Sequence, residues 1–246
     1  MPISLKVAMK VAYEGENFFG FQSQKDKNTI AKALKNALNS AGIFCDFEAS
    51  GRTDKGVHAS AQVISLEIPH FHKDLQNLKQ RLNAKLYPEI KIKAIWQVKA
   101  NFHARFSAKK RSYCYVVSQS QNPFLSSFSH FYSIKNPQLL KDSLKNFIGK
   151  HDFRAFMKKG GSGDKSGSVR EIYQAKLLKK GNFYIFYFQA NGFLRAQIRL
   201  MIGFLLEIDK GNLSLKDLQN QLNGKEIFRI PAPSCGLFLS GVQYIK

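Results

Sequence analysis

Leu5, Val7, Met9, Val11 and Tyr13 alternate with Lys6, Ala8, Lys10 and Ala12, and this period-two pattern predicts a strand with one face turned to a core. The segments that follow give it sheet partners in a definite order. Gly15 and Gly20 break the alternation, and Thr29 caps a helix whose apolar stripe is Ile30, Leu34, Leu38 and Ala41, stopped by Gly42. A short strand over 43–49, a strand over 63–68, a helix carrying Leu75, Leu78, Leu82 and Leu86, and a strand with Ile90, Ile92, Trp96 and Val98 complete a β-α-β-β-α-β order.

The remainder repeats that order. A strand over 111–118 precedes a helix between Pro137 and Gly149 that carries Leu140, Leu144 and Phe147 on one face. Strands over 172–178 and 183–190 meet at Lys180-Gly181-Asn182 as a hairpin. A helix with Leu194, Ile198, Met201, Ile202 and Leu205, a short helix over 215–222 and a strand over 237–244 close the chain. The class is therefore α+β: two ferredoxin-like halves, 1–105 and 106–246, with largely antiparallel sheets joined into one extended sheet. The halves share no visible sequence similarity, so the repeat is topological. Segments 15–27, 101–110 and 160–168 have no packing assignment; the last, rich in glycine and serine beside Lys158, Lys159 and Arg170, is either a cover for a phosphate backbone or a solvated connector.

With 246 residues, 44% of them hydrophobic, the chain can bury a sizeable core. Its 38 Lys and Arg against 17 Asp and Glu give a net charge of +21, spread along the chain and not gathered in a tail. A broad positive face attracts polyanions, nucleic acid first and anionic membrane second. No apolar run approaches the roughly 18 residues of a membrane span, and the first ten residues do not build a signal-peptide core; the reading is a soluble, cytoplasmic protein. Cys45, Cys114 and Cys235 stand alone, as reduced, partly buried thiols. The six histidines and the carboxylates never fall at metal-ligand spacing, and no Walker loop, Gly-x-Ser-x-Gly elbow or dinucleotide fingerprint occurs. No metal and no cofactor is expected.

What remains is Ser50-Gly51-Arg52-Thr53-Asp54-Lys55-Gly56-Val57-His58-Ala59, one carboxylate in a glycine-bracketed loop among cations. Gly51 and Gly56 permit positive φ and close approach to a ligand, while Arg52, Lys55 and His58 favour an ionised Asp54. The plainer role for Asp54 is to close a turn or cap the next segment. Phe102-His103-Ala104-Arg105-Phe106, Arg111-Ser112-Tyr113-Cys114-Tyr115 and the stretch from Asn191 to Arg199 interleave aromatics with arginines, as suits stacked bases and gripped phosphates. Individually, Tyr113 reads as a core aromatic and Arg199 as a snorkelling surface residue.

Taken in order, Tyr13-Glu14-Gly15, Phe19-Gly20-Phe21-Gln22, the Gly51–Ala59 block, the 102–106 and 111–115 stretches, His151-Asp152-Phe153, Val169-Arg170, Asn191-Gly192-Phe193-Leu194 through Arg199, and Ala232-Pro233 through Gly236-Leu237 form a pattern. It resembles the TruA family of tRNA pseudouridine synthases over nearly the whole chain. The resemblance implies an active-site cleft between the halves and isomerisation of uridine to pseudouridine in the anticodon stem-loop of tRNA, at positions 38, 39 and 40. It implies Asp54 as the nucleophile, attacking either C1′ of the ribose or C6 of the base, with Arg199 pairing with it and holding it ionised. Tyr113 would stack on the target base and assist proton loss from C5, and Leu237 would wall the pocket. Arg52 would intrude into the RNA and hold the flipped nucleotide out, and His58 would help shape the loop. The implied partner is tRNA, bound by a homodimer whose two subunits one tRNA spans. Two departures stand out: Lys55 occupies a position where many bacterial relatives carry alanine, and Leu200 one where asparagine is common. The rival readings are a non-catalytic RNA-binding protein with 183–188 as an aromatic platform, and a carboxylate-dependent nuclease or glycosidase.

Overall fold

The computed structural model describes residues 4–158 and 167–244, and the chain in it is α+β. Of the described residues, those up to Lys109 and those from Phe238 onward make one compact unit, and Lys110–Leu237 make another. Most of the glycine- and serine-rich segment, 160–166, lies outside the described residues.

In the first unit, β1 (Ser4–Tyr13) runs between two antiparallel neighbours, β3 (His58–Pro69) and β4 (Ile90–Gln97). Val7 faces Leu66 and Met9 faces Ile64 across the ladder, and all four are buried. Helices α1 (Ile30–Ser40) and α2 (Leu75–Leu86) bury Leu34, Leu38, Leu78 and Leu82. Thr29 caps α1, its Oγ1 accepting from the Lys32 N–H at 3.3 Å. The alternation predicts a half-buried β1, yet Ala8 on the other face is fully buried. Val63 and Ala104, flanked by Trp96, Val98, Phe102, Val242 and Tyr244, cover it. The last two come from β10 (Leu237–Tyr244), which lies parallel to β3 with Phe238 opposite His58 and Leu239 opposite Ala59.

Two strands of this unit differ most from their predicted extents. The 43–49 strand shrinks to β2 (Glu48–Ala49), because its earlier residues are engaged by side-chain contacts in place of a ladder. The Cys45 thiol donates to Glu67 O at 3.0 Å, and Phe47 meets the Phe21 ring edge-on. Burial pushes the Cys45 thiol pKa up, keeping it the protonated donor this contact needs. Conversely, β3 begins at His58, not Val63. Its first turn lacks β-branched residues and owes its extended form to Tyr13 of β1 on one side and β10 on the other.

The second unit has a sheet in the order β5 (Ala108–Ser118), β9 (Phe183–Ala190), β8 (Val169–Lys180), β7 (Gly149–Asp152), antiparallel throughout, with β6 (His130–Phe131) parallel to β5. The β8–β9 hairpin closes with Lys180 opposite Phe183 and Gly181 at φ +54°. Helices α3 (Pro137–Lys145), α4 (Gln197–Lys210) and α5 (Leu215–Leu222) complete it. Leu200, Met201, Ile202, Phe204 and Leu205 of α4 are all buried, the mark of a helix enclosed on most of its surface. Phe186 and Phe188 are fully buried and Phe188 packs edge-on against Phe147, so this side of the 183–188 strand is core and not a platform for bases.

Asp209, near the end of α4, is buried and saturated: it accepts from Tyr132 Oη at 2.9 Å, the Lys135 N–H at 2.9 Å and the Asn136 N–H at 2.8 Å. Among the described residues no helix is long and apolar enough to cross a membrane and no group of three or more potential metal ligands gathers. The three cysteines are half-buried and outside any disulfide. Asp209→Ala leaves three part-buried donors without their acceptor, and urea unfolding is expected to show a loss of about 1–3 kcal/mol.

Candidate functional site

The loop from Ser50 to His58 belongs to the first unit and is fastened along its length. Ser50 Oγ donates to Gln62 Oε1 at 2.5 Å, and Gln62 Nε2 donates to Gly51 O at 2.7 Å. Tyr13 Oη and Thr53 Oγ1 share a buried hydrogen bond of 2.8 Å. The Phe21 N–H reaches Thr53 O at 3.0 Å, and the Val57 N–H turns back to Asp54 O at 3.2 Å. Gly56 adopts φ +74° in that turn; Gly51 does not use the left-handed region, so of the two bracketing glycines only Gly56 is needed for its backbone.

Two glycines outside the loop matter as much. A Cβ at Gly15 would collide with Val57 O, and one at Gly20, itself at φ +88°, would stand 2.8 Å from Thr53 O. The chain after β1 therefore lies backbone to backbone against the loop. His58 anchors the exit: it is 1% exposed, its Nδ1 accepts from the Gly15 N–H at 3.0 Å, and its ring stacks on Phe238 with centroids 4.7 Å apart. An accepting Nδ1 places the ring proton of the neutral tautomer on Nε2. Within this frame Thr53 is buried, Asp54 is half-buried and Arg52 is exposed. The carboxylate is thus held at a turn with solvent on one side and an exposed guanidinium two residues earlier.

Tyr113, Arg199 and Leu237 belong to the second unit. Tyr113, on β5, is 8% exposed and its ring meets Phe193 edge-on at 5.3 Å. Arg199 sits in the first turn of α4, after Ala196 at φ +58°. Its Nε donates to Ala232 O at 2.7 Å while the Ala232 N–H donates to Arg199 O at 2.9 Å. A Cβ at Gly203, one turn further on, would collide with Ile230 O. The 230–232 segment thus lies against the helix and fixes the plane of the guanidinium with one of its five N–H groups. This is a positioned arginine, not a snorkelling one. Tyr115 Oη donates to Pro233 O at 3.0 Å, and burial pushes its phenol far above the ordinary tyrosine range, so it stays a neutral donor. Leu237 follows directly and is buried.

Residues the sequence reading passed over include Thr53, Gln62, Phe193, Gly203 and the Ala232 carbonyl. Phe193 and Thr53 lie inside the quoted motifs, but their roles rest on contacts with Tyr113 and Tyr13 that the motifs alone do not display. The Gly203 and Ala232 contacts arise from two segments far apart in sequence, for which no local pattern exists.

Residues 9–107 and 144–245 match the family model described as tRNA pseudouridine synthase. The tRNA pseudouridine synthase A of Wolinella succinogenes is 38% identical over 234 residues, covering 94% of this chain and 92% of its own. That of Campylobacter jejuni strain RM1221 is 39% identical over 242 residues, covering 98% of this chain and 100% of its own. That of Helicobacter hepaticus is 40% identical over 242 residues, covering 95% and 97%.

Gly15→Ala drives a methyl into Val57 O and must displace the loop. Chemical denaturation is expected to show a loss of about 1–3 kcal/mol, whereas Gly51→Ala, at a backbone outside the left-handed region, is expected to cost less than half as much in the same assay.

Proposed function

The chain belongs to the tRNA pseudouridine synthase family, and on that premise we propose that Asp54 is its nucleophile, acting on uridines of the anticodon stem-loop. The reaction is an isomerisation. The C1′–N1 bond breaks, the uracil turns, a C1′–C5 bond forms, and the proton lost from C5 is matched by one gained at N1. No electron acceptor or external nucleophile enters that balance. Asp54 supplies the covalent catalysis, at C1′ or at C6, that divides the exchange into two steps.

The observation that carries this reading is the fastening of the Asp54 loop on Tyr13, Phe21, Gln62 and Gly15, with the carboxylate itself only half-buried. A nucleophile needs a fixed position and access to its target, and a fastened backbone with a half-buried Asp54 supports that reading. Arg199, already oriented by Ala232, pairs with Asp54 through its remaining N–H groups and keeps it ionised. The target uridine leaves its stack at a cost of a few kcal/mol, which Arg52 offsets by occupying the gap. Tyr113, braced by Phe193, stacks on the uracil against the Leu237 wall; His58, from beneath, keeps the loop in register. The enzyme works in the cytoplasm as a homodimer whose two subunits share one tRNA.

Release of tritium from C5-labelled uridine in unmodified tRNA tests the proposal. Asp54→Asn is expected to abolish release while tRNA affinity stays within about tenfold of the wild type. Substantial turnover by that variant would remove Asp54 from the nucleophile role.

A further inference from the structure

Beside the Asp54 loop, two ammonium groups converge on one aromatic ring. Lys55 Nζ lies 4.4 Å and Lys27 Nζ 5.0 Å from the centroid of Phe19. The Phe19 backbone is held on both sides: its N–H donates to Asn28 O at 2.8 Å, and its carbonyl accepts from Gln24 Nε2 at 2.7 Å. A Cβ on the next residue, Gly20, would stand 2.8 Å from Thr53 O, 3.2 Å from Asp54 C and 3.3 Å from Lys55 N, so this segment lies close against the loop. Phe19 is 39% exposed and both lysines are exposed, so the group faces solvent at the rim of the loop that carries Asp54.

Each exposed ammonium is attracted to the electron-rich face of the ring. Two like charges held within the ~10 Å screening length of 0.1 M salt repel each other, and an anion between them removes that cost. In a chain of net charge +21, and on the premise that tRNA is the substrate, we propose that Phe19, Lys27 and Lys55 form a cradle for a backbone phosphate of the RNA next to the flipped uridine. Phe19 sets the spacing of the ammonium groups, and Lys55, on the residue after Asp54, ties phosphate capture to the position of the nucleophile. The ligand class is a phosphodiester, bound through charge and without base preference.

The test is tRNA binding as a function of salt, made in the Asp54→Asn background so that no turnover intervenes. The Lys27→Gln/Lys55→Gln double variant is expected to flatten the slope of log K against log salt by about 0.7–0.9, the value for one lost phosphate contact, and each single variant by a measurable part of that. Phe19→Leu, which keeps apolar bulk but no π face, is expected to weaken binding and flatten the slope with both lysines present. Lys35→Gln, which removes a lysine paired with Asp46 at 2.7 Å, is expected to leave the slope unchanged. An unchanged slope in the Lys27 and Lys55 variants overturns the cradle, and so does an equal flattening at Lys35. Tritium release by the wild type, measured separately, decides the assignment of function; a wild type that isomerises tRNA while the lysine variants keep its slope refutes the cradle alone.

Discussion

Val57 O and Thr53 O leave no room for a side chain at positions 15 and 20, and the geometry of the first unit around Asp54 follows from that contact. Because backbone meets backbone there, the Gly15 N–H can reach His58 Nδ1 and the Phe21 N–H can reach Thr53 O. These bonds turn a polar loop, which alone would sample many conformations, into an extension of β1 and β3. The same contact explains why β3 starts as early as His58. Once the loop exit is pinned, Tyr13 and Phe238 flank His58 and Ala59 closely enough to pair with them.

The two units each hold an aspartate with a defined environment, and the contrast separates structure from chemistry. Asp209 accepts three donors and is buried, so most of its acceptor capacity is engaged within the fold. Such a carboxylate fixes the junction of β6, α3 and α4. Asp54 keeps its carboxylate toward partial solvent while its backbone does the anchoring, through Val57. A carboxylate whose main chain is fixed and whose side chain is accessible can be offered to a substrate. A carboxylate consumed by hydrogen bonds cannot, without first giving them up.

Much of this was legible in residues. The alternation in β1, the Thr29 cap, the α1 and α2 stripes and the Gly181 hairpin all declare themselves locally, because period, cap chemistry and turn chemistry are local properties. The strand at Gly149–Asp152 did not, since Gly149-Lys150-His151-Asp152 has no apolar alternation and is extended only through its pairing with β8. The final strand was legible as a strand, but not as a parallel neighbour of β3, because the pairing joins residues at opposite ends of the chain. In the site, Asp54 stood out by composition, whereas the restraint on Arg199 depends on Ala232 and Gly203, a steric and hydrogen-bonded match that no spacing rule encodes.

Electrostatics places the last constraint on this arrangement. A nucleophilic carboxylate must stay ionised as its substrate arrives, yet the substrate is a polyanion, and nearby negative charge disfavours the ionised form. A uniformly basic surface concentrates RNA without deciding where its phosphates settle relative to Asp54. In the proposed cradle, cations beside the loop decide it: exposed Arg52, two residues before Asp54, and Lys55 gathered with Lys27 over Phe19 would meet the incoming phosphates with neutralising charge. The ring of Phe19 matters for the same reason: a lone exposed lysine follows the phosphate wherever it goes, whereas two gathered on one ring, as the proposed cradle has them, favour one place for it to stop.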